Sequence, residues 1–292
     1  MPLIMGRDQL ALKGIMGIET PAATGDGEGD TVANTPKLVS IEPGLPEWST
    51  EVPNSNAGGS VYFPMTIYET TIDDAAYGFL DVPYVENINE APQFTVQAWF
   101  KKSGGDSHNR AVWSIGAGGY QNGSSLYIWN NQTPYWNISD NGSGEYITFN
   151  NPTSFTTDTW YHVVCIKKAD GSNMTETYIN GNLQSNKHSI GTYAADTSGS
   201  FAIGIRDGAA GGYGDRGWVG YITEVCFWNT ALDSNAVSLL YNSGNGKDAS
   251  TISGSNVQGY WRMLEGSGVT VSGSAGDGGA PTATFRAKKL HQ

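Results

Sequence analysis

Gln93-Phe94-Thr95-Val96-Gln97-Ala98-Trp99-Phe100-Lys101 is the stretch whose reading decides the fold. Phe94, Val96, Ala98 and Phe100 fall on one face, and Thr95, Gln97 and Lys101 on the other, the period of two of a half-buried strand. Trp99 breaks the polar side. Runs of the same kind occur at 61–67, 77–82, 111–115, 126–130, 146–150, 160–168, 175–179, 201–206 and 218–228. Many short strands without alternating helices predict an all-β, antiparallel sandwich. Asn180-Gly181, between Tyr178-Ile179 and Asn182-Leu183, predicts a hairpin, because both residues accept the positive φ of a type I′ turn. One short helix is legible after it. Asp233 is placed to cap it, Leu232 and Val237 are spaced as a hydrophobic staple, Val237, Leu240 and Tyr241 share a face, and Gly244 is placed to end it.

The totals agree with that reading. The chain has 292 residues, 39 of them glycine, with an aromatic share of 11%. This describes strands punctuated by turns, with large rings for a core. A formal charge of −12 and the lack of a basic stripe argue against nucleic acid. No apolar run reaches the roughly 20 residues that a membrane helix needs, so no membrane insertion is expected. The first residues lack the pattern of a signal peptide. Cys165 and Cys226 each sit inside a strand-like run. A bridge between strands and two buried thiols both fit, and two cysteines in so long a chain make no disulfide framework.

Residues 1–58 carry Pro2, Pro21, Pro36, Pro43, Pro46 and Pro53 and the stretch Gly25-Asp26-Gly27-Glu28-Gly29-Asp30, and are read as an extended N-terminal arm and linker. Within it, Leu3, Ile4, Leu10, Leu12, Ile15, Met16 and Ile18 form an apolar peptide too short for a core of its own. It either folds back on the main domain or docks on a partner. The sandwich is assigned to residues 59–272 and a tail to 273–292.

Phe94-Thr95-Val96-Gln97-Ala98-Trp99-Phe100-Lys101, Asp158-Thr159-Trp160-Tyr161-His162-Val163-Val164, Tyr178-Ile179-Asn180-Gly181, and Gly220-Tyr221-Ile222-Thr223-Glu224-Val225 leading through Trp228-Asn229-Thr230-Ala231-Leu232 into the helix follow one another in order. Together they resemble the laminin-G-like branch of the concanavalin-A-like lectin and glucanase superfamily, over roughly residues 59–272. The resemblance implies a jelly-roll sandwich and does not fix an activity, since relatives bind glycans, bind proteins, decorate virions or cleave polysaccharides. Hydrolases of this kind place acids alternately on one strand, and no Glu-x-Asp-x-Glu run is present. Glu145, Glu176 and Glu224 are isolated. His108, His162, His188 and His291 are scattered, with no nucleophile motif and no zinc spacing. No enzyme is expected.

Two regions suit a ligand. From Asp106 to Asn141, rings alternate with amides and charges, a pattern that stacks on sugar faces and bonds their hydroxyls. Asn109, Arg110, Tyr135, Trp136, Asp140 and Asn141 are its candidate binding residues, joined by Arg206, while alternate aromatics of the stretch are expected to be core. The glycine loop 206–218 holds Asp207 and Asp215. The resemblance implies calcium at a sandwich edge, so these two are the candidate ligands for calcium, against the alternative of surface pairs with Arg206 and Arg216. Five Asn-x-Ser/Thr sequons, among them one at Asn137, are put down to composition.

The resulting expectation is a non-enzymatic virion structural protein, a capsid decoration, fibre or appendage subunit. Its residues 1–20 dock on other virion proteins, its loops meet host-surface glycans, and it forms a homo-oligomer. A free extracellular lectin is the alternative.

Overall fold

Alternation along the chain becomes two stacked antiparallel sheets in the structure, a computed structural model. It describes residues 45–67, 75–103, 110–116, 122–129, 133–140, 142–149, 154–169, 174–184, 188–197, 199–206, 217–252, 256–274 and 281–289. The strands are β1 (Glu47–Ser49), β2 (Ser60–Phe63), β3 (Met65–Ile67), β4 (Ala75–Val82), β5 (Phe94–Lys102), β6 (Arg110–Ile115), β7 (Ser124–Ile128), β8 (Pro134–Asp140), β9 (Ser143–Thr148), β10 (Trp160–Lys167), β11 (Met174–Ile179), β12 (Asn182–Leu183), β13 (His188–Ser189), β14 (Phe201–Ile203), β15 (Gly220–Trp228), β16 (Val257–Trp261), β17 (Thr270–Val271), β18 (Gly273–Ser274) and β19 (Ala283–Lys289). Among the described residues there are two α-helices, α1 (Glu86–Asn89) and α2 (Ser234–Tyr241), with short 3-10 turns at Asn242–Gly244 and Ala249–Thr251.

The first sheet runs β1-β2-β15-β5-β10-β11-β12, with β13 on β11, β16 on β15 and β18 on β16. The second runs β17-β19-β4-β14-β6-β7-β8-β9, with β3 on β4. Their facing sides make one core. Phe94, Val96, Ala98, Phe100, Val163 and Phe227 of the first sheet meet Leu80, Ile115, Leu126, Trp136, Ile138 and Phe201 of the second. This is an antiparallel jelly-roll β-sandwich, as the sequence predicts, with one regular short helix over its first sheet.

The first sheet is covered on its other side as well. Val164, Ile166, Tyr178, Cys226, Trp228 and Tyr260 pack there against Leu232, Val237 and Leu240 of α2 and its approach, a second apolar layer. That is why β5 is buried along both faces although Thr95 and Gln97 read as its wet side. Asp233 caps α2 by accepting from the Ala236 amide at 2.8 Å, as the sequence predicts. The Asn180-Gly181 turn is also as expected, with φ of 49° and 74°. A Cβ on Gly181 would lie 2.8 Å from the Tyr241 ring, so the turn needs glycine for conformation and for space.

Both cysteines are free, and the topology says why. Cys165 faces the inter-sheet core and Cys226 the layer under α2, so the two thiols lie on opposite sides of one sheet. The paired body also passes both boundaries drawn from the sequence: β1 pairs with β2 ahead of residue 59, and β19 pairs with β4 beyond residue 272. The compact unit is Gly44–Gln292. The basic 286–289 stretch hides a strand because Phe285 turns inward while Thr284 and Arg286 register against Asp81 and Phe79.

Candidate functional site

The hairpin of β7 and β8 builds the candidate site. Its register pairs Leu126 with Trp136 on the core side, and Ser125 with Asn137 and Tyr127 with Tyr135 on the outer side. The Tyr127 and Tyr135 rings stack, 6.0 Å apart and inclined at 22°. Trp129, on the turn, closes the group at 6.1 Å from Tyr127 and 5.7 Å from Tyr135. It is 39% exposed, unusual for so large a ring. Three aromatic faces therefore converge where the backbone is held at both ends, by the strand register and by the Trp129 amide donating to the Thr133 carbonyl at 2.7 Å. Beside them Asn137 is fully buried, and neither atom of its amide has a hydrogen-bond partner among the described residues. Most buried amides are paired, so an orphaned one is unusual; of the three rings beside it only Trp129 is exposed, Tyr135 being half-buried and Tyr127 buried.

The other residues proposed from the sequence fare differently. Trp136 is wholly buried in the inter-sheet core, its Nε1 donating to Ser124 Oγ at 2.7 Å, so it offers no surface to a sugar. Arg110 is also wholly buried, donating from Nη1 to the Gly217 carbonyl at 3.1 Å, with its guanidinium 5.0 Å over the Tyr77 ring. Asp140 is half-buried and accepts from the Gly191 amide at 2.7 Å, which makes it a loop fastener. Arg206 is half-buried at the end of the β14 segment. Only Tyr135 joins the aromatic group. Asn109, Asn141, Asp207 and Asp215 lie outside the described residues, as do residues 1–44. No group of three or more metal-ligating side chains occurs among the described residues.

Asn137 is the residue that sequence reasoning passed over. It was set aside as a chance sequon, and its full burial means that no glycosylating enzyme reaches it in the folded chain. The signal that finds it is parity: Tyr135, Asn137 and Ser139 alternate with Trp136 and Ile138, a strand with one face in the core.

Two acidic clusters are built differently. Glu224 is buried at a β-bulge of β15 with φ of 52°, where the register shifts between Thr223 and Cys226. Burial pushes its carboxyl up to about 7, against the lowering pull of the Tyr260 hydroxyl and of Arg262. Arg262 reaches Glu224 Oε1 with Nε at 3.3 Å and Asp248 Oδ2 with Nη1 at 3.0 Å, so both carboxylates grip one guanidinium. The other cluster lines a cleft of about 560 Å³ between β11–β12 and the start of α2. There Lys168 Nζ sits 2.8 Å from Glu176 Oε1, and the Tyr178 hydroxyl donates to Oε2 at 3.0 Å. In both, the charges satisfy one another.

Comparison with known proteins fits this architecture. The chain resembles the solved structure of a putative carbohydrate binding protein from Bacteroides ovatus, at 19% identity over 74% of this chain, with a TM-score of 0.53. It spans 58% of that protein's length. A heptameric SAP-like pentraxin from Limulus polyphemus is 21% identical over 62% of this chain and 87% of its own, with a TM-score of 0.41. The CBM40 of the IT-sialidase of Ruminococcus gnavus, bound to α2,3-sialyllactose, is 12% identical over 50% of this chain and 80% of its own, with a TM-score of 0.39. No curated protein matches. The family model described as the concanavalin A-like lectin/glucanases superfamily matches residues 74–238, and the chain belongs to the laminin-G-like branch of that family.

Proposed function

We propose that the sandwich is a non-catalytic carbohydrate-recognition module whose glycan lies on the outer face of β7 and β8. The observation that carries this reading is the exposed Trp129 ring, backed by Tyr135 and the buried Tyr127 at the end of the paired β7 and β8 strands. Stacking a sugar's C–H face on such rings buries apolar area on both partners, while hydroxyls find nearby polar groups. The resemblance of the fold to a putative carbohydrate binding protein agrees with it.

The finer form of the proposal places the module on a virion surface, with residues 1–20 docking on other virion proteins. Retention of the full chain on immobilised glycans tests the first part: Trp129→Ala should reduce retention at least tenfold without lowering the unfolding midpoint, and unchanged retention would overturn it. Removing residues 1–20 tests the second, and should abolish particle attachment while leaving glycan retention intact. Release of reducing sugar by the purified chain would replace the whole reading with a hydrolase.

A further inference from the structure

Each of four neighbouring strands in the first sheet has a single residue that is not buried: Tyr62 on β2, Tyr221 on β15, Lys101 on β5 and Trp160 on β10. The register sets Tyr62 opposite Tyr221, Tyr221 opposite Lys101 and Lys101 opposite Trp160, so the four form one row across the strands. Their chain neighbours Val61, Ile222, Phe100 and Tyr161 belong to the inter-sheet core, and alternation turns the row outward. It lies on the same outer face as the layer under α2, one step further along. The adjoining outward pair of β5 and β10, Trp99 with His162, is where the Tyr241 ring at the end of α2 packs. The helix stops there, and the row beyond it is only half-buried.

The row is continuous. The Tyr62 and Tyr221 rings are 4.9 Å apart, and those of Tyr221 and Trp160 are 6.2 Å apart. Lys101 Nζ sits between, 4.6 Å from the Tyr221 ring centre and 5.8 Å from that of Trp160. It is also 2.9 Å from Glu51 Oε1, which accepts from Trp160 Nε1 at 3.4 Å. From β2 to β10 the row crosses three strand spacings, about 14 Å.

Charge and area set what fits it. Lys101 and Glu51 neutralise each other, so the row attracts neither anion nor cation strongly. It offers ring faces, phenol hydroxyls and a half-exposed carboxylate, which suit a neutral ligand with apolar faces and hydroxyl edges. Three half-buried rings expose under about 300 Å², short of the roughly 800 Å² per partner that a stable protein interface covers. A narrow strip of that size suits a few units of a sugar chain.

We propose that Tyr62, Tyr221 and Trp160 form a second carbohydrate platform, on the sheet opposite to β7 and β8, that takes a neutral, extended polysaccharide laid across the strands. It stands on its own residues and does not depend on the β7 and β8 reading.

The test is retardation of the full chain in native gels containing hydroxyethylcellulose or galactomannan, both neutral and extended, against gels without polymer. The expected result is retardation by at least one polymer, weakened about fivefold or more in Tyr221→Ala, kept in Tyr221→Phe and partly kept in Trp129→Ala. Urea unfolding checks that each variant is folded, and Tyr62→Ala, at the end of the row, is read in the same way if Tyr221→Ala is not. No retardation of the unaltered chain by either polymer overturns the platform, and that result needs no variant. Unchanged retardation in folded Tyr221→Ala also overturns it. Complete loss in Trp129→Ala removes the platform and leaves the β7 and β8 site standing, whereas loss in Tyr221→Ala with none in Trp129→Ala supports the platform and removes the other. A dimer in light scattering that Tyr221→Ala abolishes would make the row a contact between copies of the chain and overturn the platform as well.

Discussion

The outer face of the first sheet and the outer face of β7 and β8 in the second begin from the same alternation and end differently. Over the first sheet, α2 seals an apolar layer, and the polar residues beneath it form a chain: His162 Nε2 lies 3.1 Å from Gln97 Oε1, and Gln97 Nε2 donates to the Glu224 carbonyl at 3.3 Å. The His162 ring lies 4.9 Å from Trp99 and 5.9 Å from Tyr241. On β7 and β8, by contrast, Trp129 stays exposed, and the Asn137 amide has no partner among the described residues. His162 Nδ1 and Trp228 Nε1 on the covered face are partnerless as well, so what separates the two faces is the exposed Trp129 ring, not the orphaned amide.

The largest expected effects break the first face by pH. Burial pushes His162 from 6.5 down to about 3, so its stabilising contribution is complete above pH 6.5 and is lost as pH falls toward 3. That is about 5 kcal/mol across the window. Glu224 has the opposite sign. Its folded value of about 7 lies above the unfolded 4.5, so its contribution is complete below pH 4.5 and is lost as pH rises to 7, about 3 kcal/mol. The two oppose each other between pH 4.5 and 6.5, and below 4.5 only the His162 loss remains. Urea unfolding at pH 3.5, 5.5 and 8 reads this directly. Glu224→Gln should gain on the unaltered chain as pH rises from 4.5 to 8, and a pH-independent difference would show that Glu224 is charged throughout.

Leu240→Ala comes next. Leu240 is 1% exposed beneath α2, and the substitution should cost about 3 kcal/mol in unfolding free energy, with glycan retention per folded molecule unchanged. Lost retention at full folding would mean that the two faces are coupled.

Much of this was legible beforehand, because it depends on local pattern. The β5 alternation, the Asn180-Gly181 turn and the Asp233 cap all follow from neighbours in sequence. What was illegible depends on distant partners. Thr95 and Gln97 read as wet until α2 covers them; Thr95 Oγ1 bonds the Thr230 carbonyl at 2.8 Å, across 135 positions. Arg110 and Trp136 carry the chemistry of a binding site, and only the register shows them turned inside. Residue type announces what a side chain can do, and pairing decides which way it faces.

Trp129→Ala sharpens the second face. An exposed ring contributes little to folding, so the unfolding free energy should change by less than about 1 kcal/mol while glycan retention falls. A loss of several kcal/mol would make the three rings a packing cluster instead.

Asn137→Leu is the most discriminating. Its side chain fills nearly the same volume without the amide, and an unpaired buried amide costs about 1–3 kcal/mol, so in a purely structural site the variant should be as stable as the unaltered chain or more so. In a binding site the same variant gains stability and loses affinity, because the group that strains the free protein is the one that bonds the ligand. Unfolding free energy and glycan retention measured on one preparation separate the cases. Gain with loss ties Asn137 to the rings, whereas gain with unchanged retention confines the site to Tyr127, Trp129 and Tyr135.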